Sequence, residues 1–212
     1  MLVSRLSCSI IFCNSNPVAL DRVQEICKKP LVVVEGDVRD QAAIEHVLLE
    51  YGCTAVVHFA GIKSVQDSVA KPLEYYDYNV IGSHRLVRAM QNTGVKKLIF
   101  SSSATVYGNP QFLPYTEDHP LNAINPYGRT KLAIEEMLCD QFASDPSWGI
   151  GILRYFNPVG AHESGLIGED PIGAPNNLVP FVAQVAIGRR ERLNVWGNDY
   201  ETPDGNGVRD YT

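Results

Sequence analysis

The chain has 212 residues, of which 45% are hydrophobic and 20% charged, and its formal net charge is -6 at pH 7. This size supports one substantial hydrophobic core. The acidic balance argues against a nucleic-acid surface, because no cluster of basic residues exceeds Lys96-Lys97 or the one within 189–192. No apolar run approaches the roughly 20 residues that a membrane-spanning helix needs. We therefore expect neither nucleic acid nor a membrane as a partner.

The cysteines are scattered along the chain, at Cys8, Cys13, Cys27, Cys53 and Cys139. An odd set without C-x-x-C spacing predicts neither a metal site nor a disulfide framework, and it favours reduced thiols in a cytoplasmic protein. Near the start of the chain, Arg5 precedes a short apolar stretch that weakly resembles a signal peptide. This stretch is too short and lacks a convincing cleavage site, so a strand is the preferred interpretation.

Apolar runs alternate with helical patterns along the chain, and this alternation predicts a parallel sheet with crossover helices. The predicted strands are Ser9–Cys13, Leu31–Glu35, Ala55–Phe59, Lys97–Ser101 and Gly149–Arg154, with a further short strand at Leu193–Trp196. The predicted helices are Val18–Cys27, Gln41–Tyr51, Tyr75–Thr93, Pro126–Ala143 and Leu178–Ile187. Glycine and proline become frequent from residue 158 onward, which indicates that loops dominate that part of the chain.

A tyrosine and a lysine lie four residues apart at the start of a predicted helix, within Asn125-Pro126-Tyr127-Gly128-Arg129-Thr130-Lys131. Asn is a good N-cap and Pro is tolerated at the first helical position, so the helix is expected to begin here. A spacing of four places Tyr127 and Lys131 on one face. The adjacent ammonium and the helix dipole favour the phenolate, which predicts a lowered Tyr127 pKa and a general base near pH 7.

Taken alone, such a pair is more often a half-buried tyrosine with a lysine extended over it. The segment upstream favours catalysis, because an apolar run within 96–108 ends in Ser101, Ser102 and Ser103. This pattern is typical of a buried strand that delivers hydroxyls to the carboxyl edge of a parallel sheet, where open α/β sheets bind their ligands. Serine, tyrosine and lysine in this order therefore indicate a catalytic set.

Several blocks of sequence together resemble the extended short-chain dehydrogenase/reductase family. They are 101–108, 125–131, 153–162, 173–178, 197–200 and 207–211. Ser103-Ala104-Thr105 is similar to the UDP-glucose (UDP-galactose) 4-epimerases of that family, whereas its sugar-nucleotide dehydratases carry an acidic pair at these positions. The resemblance implies a doubly wound, Rossmann-like parallel α/β fold. It further implies an incomplete NAD-binding domain over 1–157 and part of a substrate-binding segment over 158–212.

The activity implied by this resemblance is interconversion of UDP-glucose and UDP-galactose through transient oxidation at the sugar C4 by tightly held NAD. Tyr127 would take the proton of the 4-hydroxyl, and Ser103 would hydrogen-bond the same hydroxyl. Lys131 would lower the pKa of Tyr127 and bind the nicotinamide ribose. Thr105, with Ala104, would orient the sugar. The full-length parent is expected to be a homodimer.

The resemblance also implies a set of cofactor contacts. Asp37 would accept a hydrogen bond from the adenine with Val38 packed nearby, although Asp37 or Asp40 could equally be a turn or helix-capping residue. Asn79 is a poor mid-helix residue on propensity alone, and it would support the catalytic pocket. His58 is expected to be an ordinary core histidine. The remaining implied contacts are Phe59, Ala60, Gly61, Lys63, Ser101, Tyr127, Lys131 and Tyr155.

The implied substrate contacts lie mostly in the later part of the chain. Arg209 offers a fork of donors matched to phosphate oxygens. With Asn157, Asn176 and Asn177 it would grip the uridine diphosphate, and Trp196 would pack on the uracil where the family more often has Phe. The other implied substrate contacts are Ser103, Ala104, Thr105, Leu178, Asn194 and Val195.

Two features of the family pattern are absent from the sequence. It contains no G-x-x-G-x-x-G, the Gly-rich turn whose backbone cradles a dinucleotide pyrophosphate, and the family continues beyond Arg209-Asp210-Tyr211. In a 3-2-1-4-5-6 sheet the first strand is central, so without it the two strands before residue 40 have no neighbour joining them to Ala55–Phe59. We therefore expect a fragment of an epimerase that purifies without NAD and is inactive alone.

Two other interpretations remain open. The chain could be a non-catalytic remnant that keeps part of the UDP-sugar pocket, or only an interaction surface. It could also come from an epimerase for another UDP-sugar, such as an N-acetylated sugar or a pentose.

Overall fold

The computed structural model describes residues 7–10, 16–170, 175, 177–195 and 197–211. Its strands are β1 (Ser7–Ile10), β2 (Val32–Glu35), β3 (Val56–His58), β4 (Lys97–Ser103) and β5 (Gly149–Tyr155). Its helices are α1 (Val18–Cys27), α2 (Gln41–Glu50), α3 (Val65–Ala70), α4 (Pro72–Tyr75), α5 (Gly82–Thr93), α6 (Pro126–Ser144) and α7 (Leu178–Ala186). A π-helical turn, Tyr76–Ile81, leads into α5, and a 3-10 turn, Ala104–Val106, follows β4. The predicted α/β class is confirmed.

The strands pair in parallel in two separate sheets. One has the order β3-β4-β5, with Val57 opposite Ile99 and Ser103 opposite Tyr155, and the other contains β1 and β2. Over the described residues, no ladder of hydrogen bonds joins the two sheets. The interruption expected between the first two strands and β3 is therefore present in the structure.

The hydrophobic core lies on one face of the β3-β4-β5 sheet. In β4 the side chains of Leu98 and Phe100 are 1% and 0% exposed, because successive residues of a strand point to opposite faces. Helices α2, α5 and α6 supply most of the rest of the cluster, including Ile44, Leu48, Leu86, Val87, Met90, Ile134 and Leu138. The strand ends that carry the candidate catalytic residues are thus fixed to a packed layer of helices.

The region 64–93 differs most from the predicted single helix Tyr75–Thr93. Helix α3 was not predicted; Ser64 caps it by accepting a hydrogen bond from Asp67 N at 3.2 Å. Helix α4 then begins at Pro72, and the π-helical turn separates it from α5. A helix-period pattern does not distinguish an α-helix from one with a π-helical turn, because the insertion shifts the register by only one residue.

The chain divides into two compact units. One comprises residues 1–11 and 31–155, and the other 12–30 and 156–212, so α1 groups with the later part of the chain. The assignment of 1–157 to NAD binding and 158–212 to the substrate stays a prediction. The predicted strand Leu193–Trp196 is wrong over 193–195, which lie in an irregular segment, and Trp196 lies outside the described residues.

Candidate active site and ligand cavity

Helix α6 begins where the sequence predicts and presents Tyr127 and Lys131 in its first turns. The Asn125 side chain accepts a hydrogen bond from Gly128 N at 2.8 Å, and Pro126 occupies the first helical position. Gly128 is needed for close packing, because a Cβ there would lie 3.0 Å from the carbonyl oxygen of Thr105. The helix start is therefore held directly against the 3-10 turn that follows the serine-rich strand.

Lys131 is buried, with 5% of its surface exposed. Its ammonium donates a hydrogen bond to the carbonyl oxygen of Ser101 at 2.8 Å and lies 4.9 Å from the centre of the Phe100 ring. Burial lowers the pKa of Lys131 to about 8, because desolvation disfavours the charged form. The same ammonium is 5.9 Å from the centre of the Tyr127 ring, so the predicted pairing on one helix face is confirmed.

The predicted lowering of the Tyr127 pKa is wrong for this structure. Burial raises the pKa of Tyr127 above its usual value of 10, and a hydrogen bond with the Ser103 side chain offsets this only in part. Lys131 does not offset the effect of burial, since its ammonium is directed at the Ser101 carbonyl. Tyr127 is therefore a neutral phenol at pH 7, with its ring edge-on to Tyr75 at 6.5 Å.

Ser103 lies at the carboxyl end of β4, next to Tyr155 at the end of β5. Its Oγ accepts hydrogen bonds from Thr105 Oγ1 at 3.0 Å and from Thr105 N at 3.3 Å. Together with the Tyr127 bond, these contacts bring Ser103, Thr105, Tyr127 and Lys131 into one cluster, as predicted. Ala104 begins the 3-10 turn between the two hydroxyl residues.

Asn79 lies on the π-helical turn and is only 1% exposed. Its amide accepts a hydrogen bond from Ile62 N at 2.9 Å and donates to Ile62 O and to Thr130 Oγ1, each at 3.1 Å. Thr130 in turn donates to the carbonyl of Tyr127 at 2.7 Å. Asn79 thus ties the loop after β3 to α6. Thr130 was not predicted; its only sequence signal is its position next to Lys131.

The loop after β3 contains the predicted cofactor residues Phe59, Ala60, Gly61 and Lys63, and all four are exposed. Gly61 has φ +151, and a Cβ there would lie 2.9 Å from the Asn79 amide oxygen, so glycine is required by the Asn79 contact. Within the part of the chain that the structure describes, Lys63 makes no hydrogen bond or ion pair. Its ammonium is therefore available to a ligand.

Asp37 already has a strong partner. Both of its carboxylate oxygens accept hydrogen bonds from Arg39, which also pairs with Asp77 and lies 3.9 Å from the Tyr78 ring centre. The bond from Arg39 holds the pKa of Asp37 below its usual value. Asp37 does not cap α2, because Asp40 accepts the capping bond from Ala43 N.

The two residues that follow Asp37 are Val38 and Arg39. Val38 packs against the hydrophobic core, and its position beside the adenine stays a prediction. Arg39 was not predicted as a partner of Asp37. The two residues are only two positions apart in a turn, and this spacing could have indicated the pair.

His58 is the core histidine that the sequence suggested. Its Nε2 and Ser83 Oγ are 2.8 Å apart, and its ring lies 5.6 Å from that of Phe100. Burial lowers its pKa to about 3, so the ring is neutral at pH 7. Within the described residues there is no group of His, Cys, Asp and Glu side chains that could hold a metal ion.

A buried ion pair next to Ser103 was not predicted. Glu135 of α6 is 3% exposed and pairs with Arg154 of β5 at 2.8 Å. Ser102 donates a hydrogen bond to the same carboxylate, and Arg154 donates to Tyr107 Oη at 3.1 Å. These contacts join β4, β5 and α6 next to Ser103. The two charges are distant in sequence, so no local pattern reveals their pairing.

The second compact unit contains a cavity of about 600 Å³. Its wall includes four of the predicted substrate residues, Asn157, Asn177, Leu178 and Arg209. Asn157 Nδ2 donates to the carbonyl of Asp210 at 3.0 Å, which holds the segment that carries Arg209. Over the described residues Arg209 makes no hydrogen bond or ion pair of its own.

Other predicted substrate residues are not brought to this cavity. Asn194 and Val195 are exposed and do not line it, while Asn176 and Trp196 lie outside the described residues. Conversely, Glu169, Val208 and Tyr211 line the cavity and were not predicted. The described helices include none long and apolar enough to cross a membrane.

The chain matches the family described as GDP-mannose 4,6 dehydratase over residues 2–212. It is 57% identical to UDP-glucose 4-epimerase of Bacillus subtilis and 56% identical to that of Homo sapiens, in each case over 93% of this chain. The chain spans 58% and 57% of the lengths of these relatives.

The chain is also similar to solved structures of UDP-glucose 4-epimerases. UDP-glucose 4-epimerase from Bifidobacterium longum, in complex with NAD+ and UDP, has a TM-score of 0.93 and 54% identity, over 98% of this chain and 62% of that one. The enzyme from Stenotrophomonas maltophila, with bound NAD and formylated UDP-arabinopyranose, has a TM-score of 0.94 and 47% identity over the same shares. This chain therefore belongs to the family described as GDP-mannose 4,6 dehydratase, and it is similar to UDP-glucose 4-epimerases over somewhat more than half of their length.

Proposed function

We propose that this chain carries the catalytic residues of a UDP-glucose/UDP-galactose 4-epimerase that uses NAD. The observation that carries the proposal is the cluster of Ser103, Tyr127 and Lys131 at the end of β4 and the start of α6. Open parallel α/β sheets usually bind their ligands at the carboxyl ends of the strands. The epimerase names of relatives at 56–57% identity support this assignment.

The residues of this chain suit the nicotinamide end of NAD better than its central pyrophosphate. Lys131 and the exposed Lys63 supply cations, and Asn79 holds the loop that carries Gly61 against α6. The Gly-rich turn that cradles a pyrophosphate is absent from the sequence. When bound, NAD would supply the oxidant that accepts hydride from the sugar C4 and returns it.

The roles of the protein side chains follow from their contacts. Tyr127 would exchange a proton with the 4-hydroxyl of the sugar, and Ser103 would hydrogen-bond that hydroxyl and steady the phenol. Because burial raises the Tyr127 pKa, the phenol requires an added positive charge in its surroundings to act as a base near pH 7. Lys131, with a pKa of about 8, is still mostly protonated at that pH and would position the nicotinamide ribose.

The cavity of the second unit supports a site for the uridine diphosphate. Arg209 lines it without an internal partner among the described residues, and a guanidinium suits phosphate oxygens. Leu178 and Val179, the first residues of α7, also line it, and the Asn177 side chain makes no capping bond to this helix. Uncapped N–H groups at a helix start bind anions.

Titration of the purified chain with UDP and with NAD, by calorimetry, tests the two halves of this proposal. We expect UDP to bind and Arg209→Ala to weaken it by at least ~10-fold, as for loss of a charge-assisted bond. Glu191→Ala is the control, since Glu191 is exposed and does not line the cavity. Absence of UDP binding would contradict the proposed cavity role.

A non-catalytic role for this chain is the second candidate, and the interruption between the two sheets favours it. In that case the chain would bind UDP-sugars without holding NAD. Micromolar NAD binding would exclude it. In a complete parent protein, turnover of UDP-N-acetylglucosamine or UDP-arabinose in place of UDP-glucose would redirect the assignment to another UDP-sugar epimerase.

We also propose a cytoplasmic location and a homodimeric parent. Cys27, Cys53 and Cys139 are free thiols, which supports a reducing compartment. Leu73 and Val69 are 81% and 65% exposed on neighbouring helices, an apolar surface that suits a subunit contact. Light scattering of the wild-type parent and of its Leu73→Lys variant would test the dimer.

A further inference from the structure

Glu169 and Asn177 form a hydrogen-bonded pair in the wall of the cavity. Asn177 Nδ2 donates to Glu169 Oε1 at 2.7 Å, and both residues line the cavity. Neither the sequence patterns nor the relatives' names assign a role to Glu169.

This contact fixes the direction of the Asn177 amide. An ionised carboxylate can only accept hydrogen bonds, so the NH2 group of Asn177 must be the end that faces Glu169. The other end of the amide is a carbonyl oxygen, which has no partner among the residues that the structure describes. Asn177 therefore offers an acceptor to any ligand in the cavity, and so does the remaining oxygen of Glu169.

The cavity consequently contains two groups of opposite character. Arg209 and the first residues of α7 provide donors and positive charge, whereas Glu169 and Asn177 provide acceptors and negative charge. The two charges are not paired with each other, since no ion pair joins Glu169 and Arg209 across the described ranges. Phosphate oxygens, which accept, would be repelled by the Glu169–Asn177 pair, so the sequence-based placement of diphosphate on Asn177 does not suit this geometry.

We propose that Glu169 and Asn177 bind vicinal hydroxyl groups of the nucleotide sugar, and that Glu169 makes the cavity selective for a ligand with such a diol. Hydroxyls are donors, and a carboxylate is the residue that dinucleotide-binding folds use for a ribose hydroxyl. This inference rests on the proposed UDP-sugar site, and it divides that site into an anion-binding part and a diol-binding part. The diol belongs either to the ribose or to the hexose.

Calorimetry on the purified chain with three probes separates these sources. UDP carries only the ribose diol, 2′,3′-dideoxyuridine 5′-diphosphate carries none, and UDP-glucose carries both. If the ribose supplies the diol, we expect the wild-type chain to bind UDP at least ~10-fold more tightly than the dideoxy analogue, since hydrogen bonds to a charged group are strong. If the hexose supplies it, we expect the same difference between UDP-glucose and UDP. Glu169→Ala should abolish this difference, and Glu169→Gln, which can still accept from Asn177, should retain part of it. Glu191→Ala serves as the surface control.

The outcomes distinguish this inference from the proposed function. A loss on UDP in Glu169→Ala identifies the ribose diol, and a loss on UDP-glucose alone identifies the hexose diol. If Glu169→Ala binds all three probes as well as the wild type, or more tightly, the diol assignment is wrong while the UDP site stands. If the wild-type chain binds neither UDP nor UDP-glucose, both proposals are wrong.

Discussion

The two faces of the β3-β4-β5 sheet differ sharply in how well they are covered. On one face Leu98 and Phe100 are 1% and 0% exposed under α5 and α6, whereas on the other Val57, Ile99 and Leu153 are 57%, 39% and 42% exposed. These residues belong to the same short strands. The sequence of a parallel strand is normally a continuous apolar run, because both faces of a parallel sheet are buried. Here the run is continuous, but among the residues that the structure describes only one face is covered.

This difference explains why the contacts of the Ser103, Tyr127 and Lys131 cluster are complete while the edge of β3 is free among the described residues. Tyr127 and Lys131 are carried by α6, which packs on the covered face, and their contacts with Ser103 and Ser101 are complete. The open face adjoins the free edge of β3, where no ladder reaches the β1-β2 sheet among the described residues. An added strand would hydrogen-bond to the free edge of β3, and a helix following it would cover the open face.

The largest expected effect comes from adding elements that pair with the edge of β3 and cover the open face. We expect a strand, a Gly-rich turn and an amphipathic helix, fused ahead of the chain, to raise NAD affinity by at least ~100-fold, because the turn adds charge-assisted hydrogen bonds to the pyrophosphate. NAD retained after purification, measured by absorbance after acid release, provides the readout. A fusion with the turn glycines changed to valine is the control. Bound NAD in the unfused chain would contradict this view.

Substitutions at two neighbouring residues compare how much each face of the sheet contributes to the free energy of unfolding. Phe100→Ala should cost about 3–5 kcal/mol of unfolding free energy, as for a fully buried aromatic residue. Ile99→Ala, on the exposed face, should cost less than about 1 kcal/mol. Urea denaturation followed by the fluorescence of buried Trp148, in a Trp196→Phe background, gives both values. In the fused protein the Ile99→Ala cost should rise; equal costs in the unfused chain would argue against an open face.

The sequence predicts those parts of the site that depend on local chemistry. The Asn125 cap, the four-residue spacing of Tyr127 and Lys131, and the serine-rich end of β4 are all present as expected. Local patterns could not reveal that Glu169 and Asn177 line one cavity with Arg209, because the cavity is built from segments distant in sequence. The direction of the Tyr127 pKa also escaped prediction.

The same physical reason applies to each of these failures. A pattern of residues shows which groups are neighbours along a helix, but not how far each is desolvated or where its hydrogen bonds are directed. Lys131 is adjacent to Tyr127, yet its ammonium is directed at the Ser101 carbonyl. Burial, which depends on the whole covered face, then determines the pKa of both groups.

The smallest expected effect is a shift in the titration of one side chain. The ultraviolet difference spectrum between the wild-type chain and Tyr127→Phe isolates the Tyr127 phenolate, whose titration midpoint should lie above pH 10 in the absence of NAD. At pH 7 the phenolate fraction should then be below ~0.1%. Tyr127→Phe is also the control for other tyrosines, because their signals cancel in the difference. A midpoint near pH 7 would restore the interpretation of Tyr127 as a base activated by Lys131.

A second variant tests whether Lys131 affects this titration. The pKa of Lys131 is about 8, so its ammonium loses its proton before Tyr127 reaches its titration midpoint above pH 10. A neutral amine exerts no Coulombic attraction on a phenolate, and Lys131→Met should therefore leave the Tyr127 midpoint almost unchanged. A pronounced rise of that midpoint in Lys131→Met would mean that the ammonium persists to higher pH and does stabilise the phenolate. With no such rise, Lys131 does not set the Tyr127 midpoint in the chain without NAD.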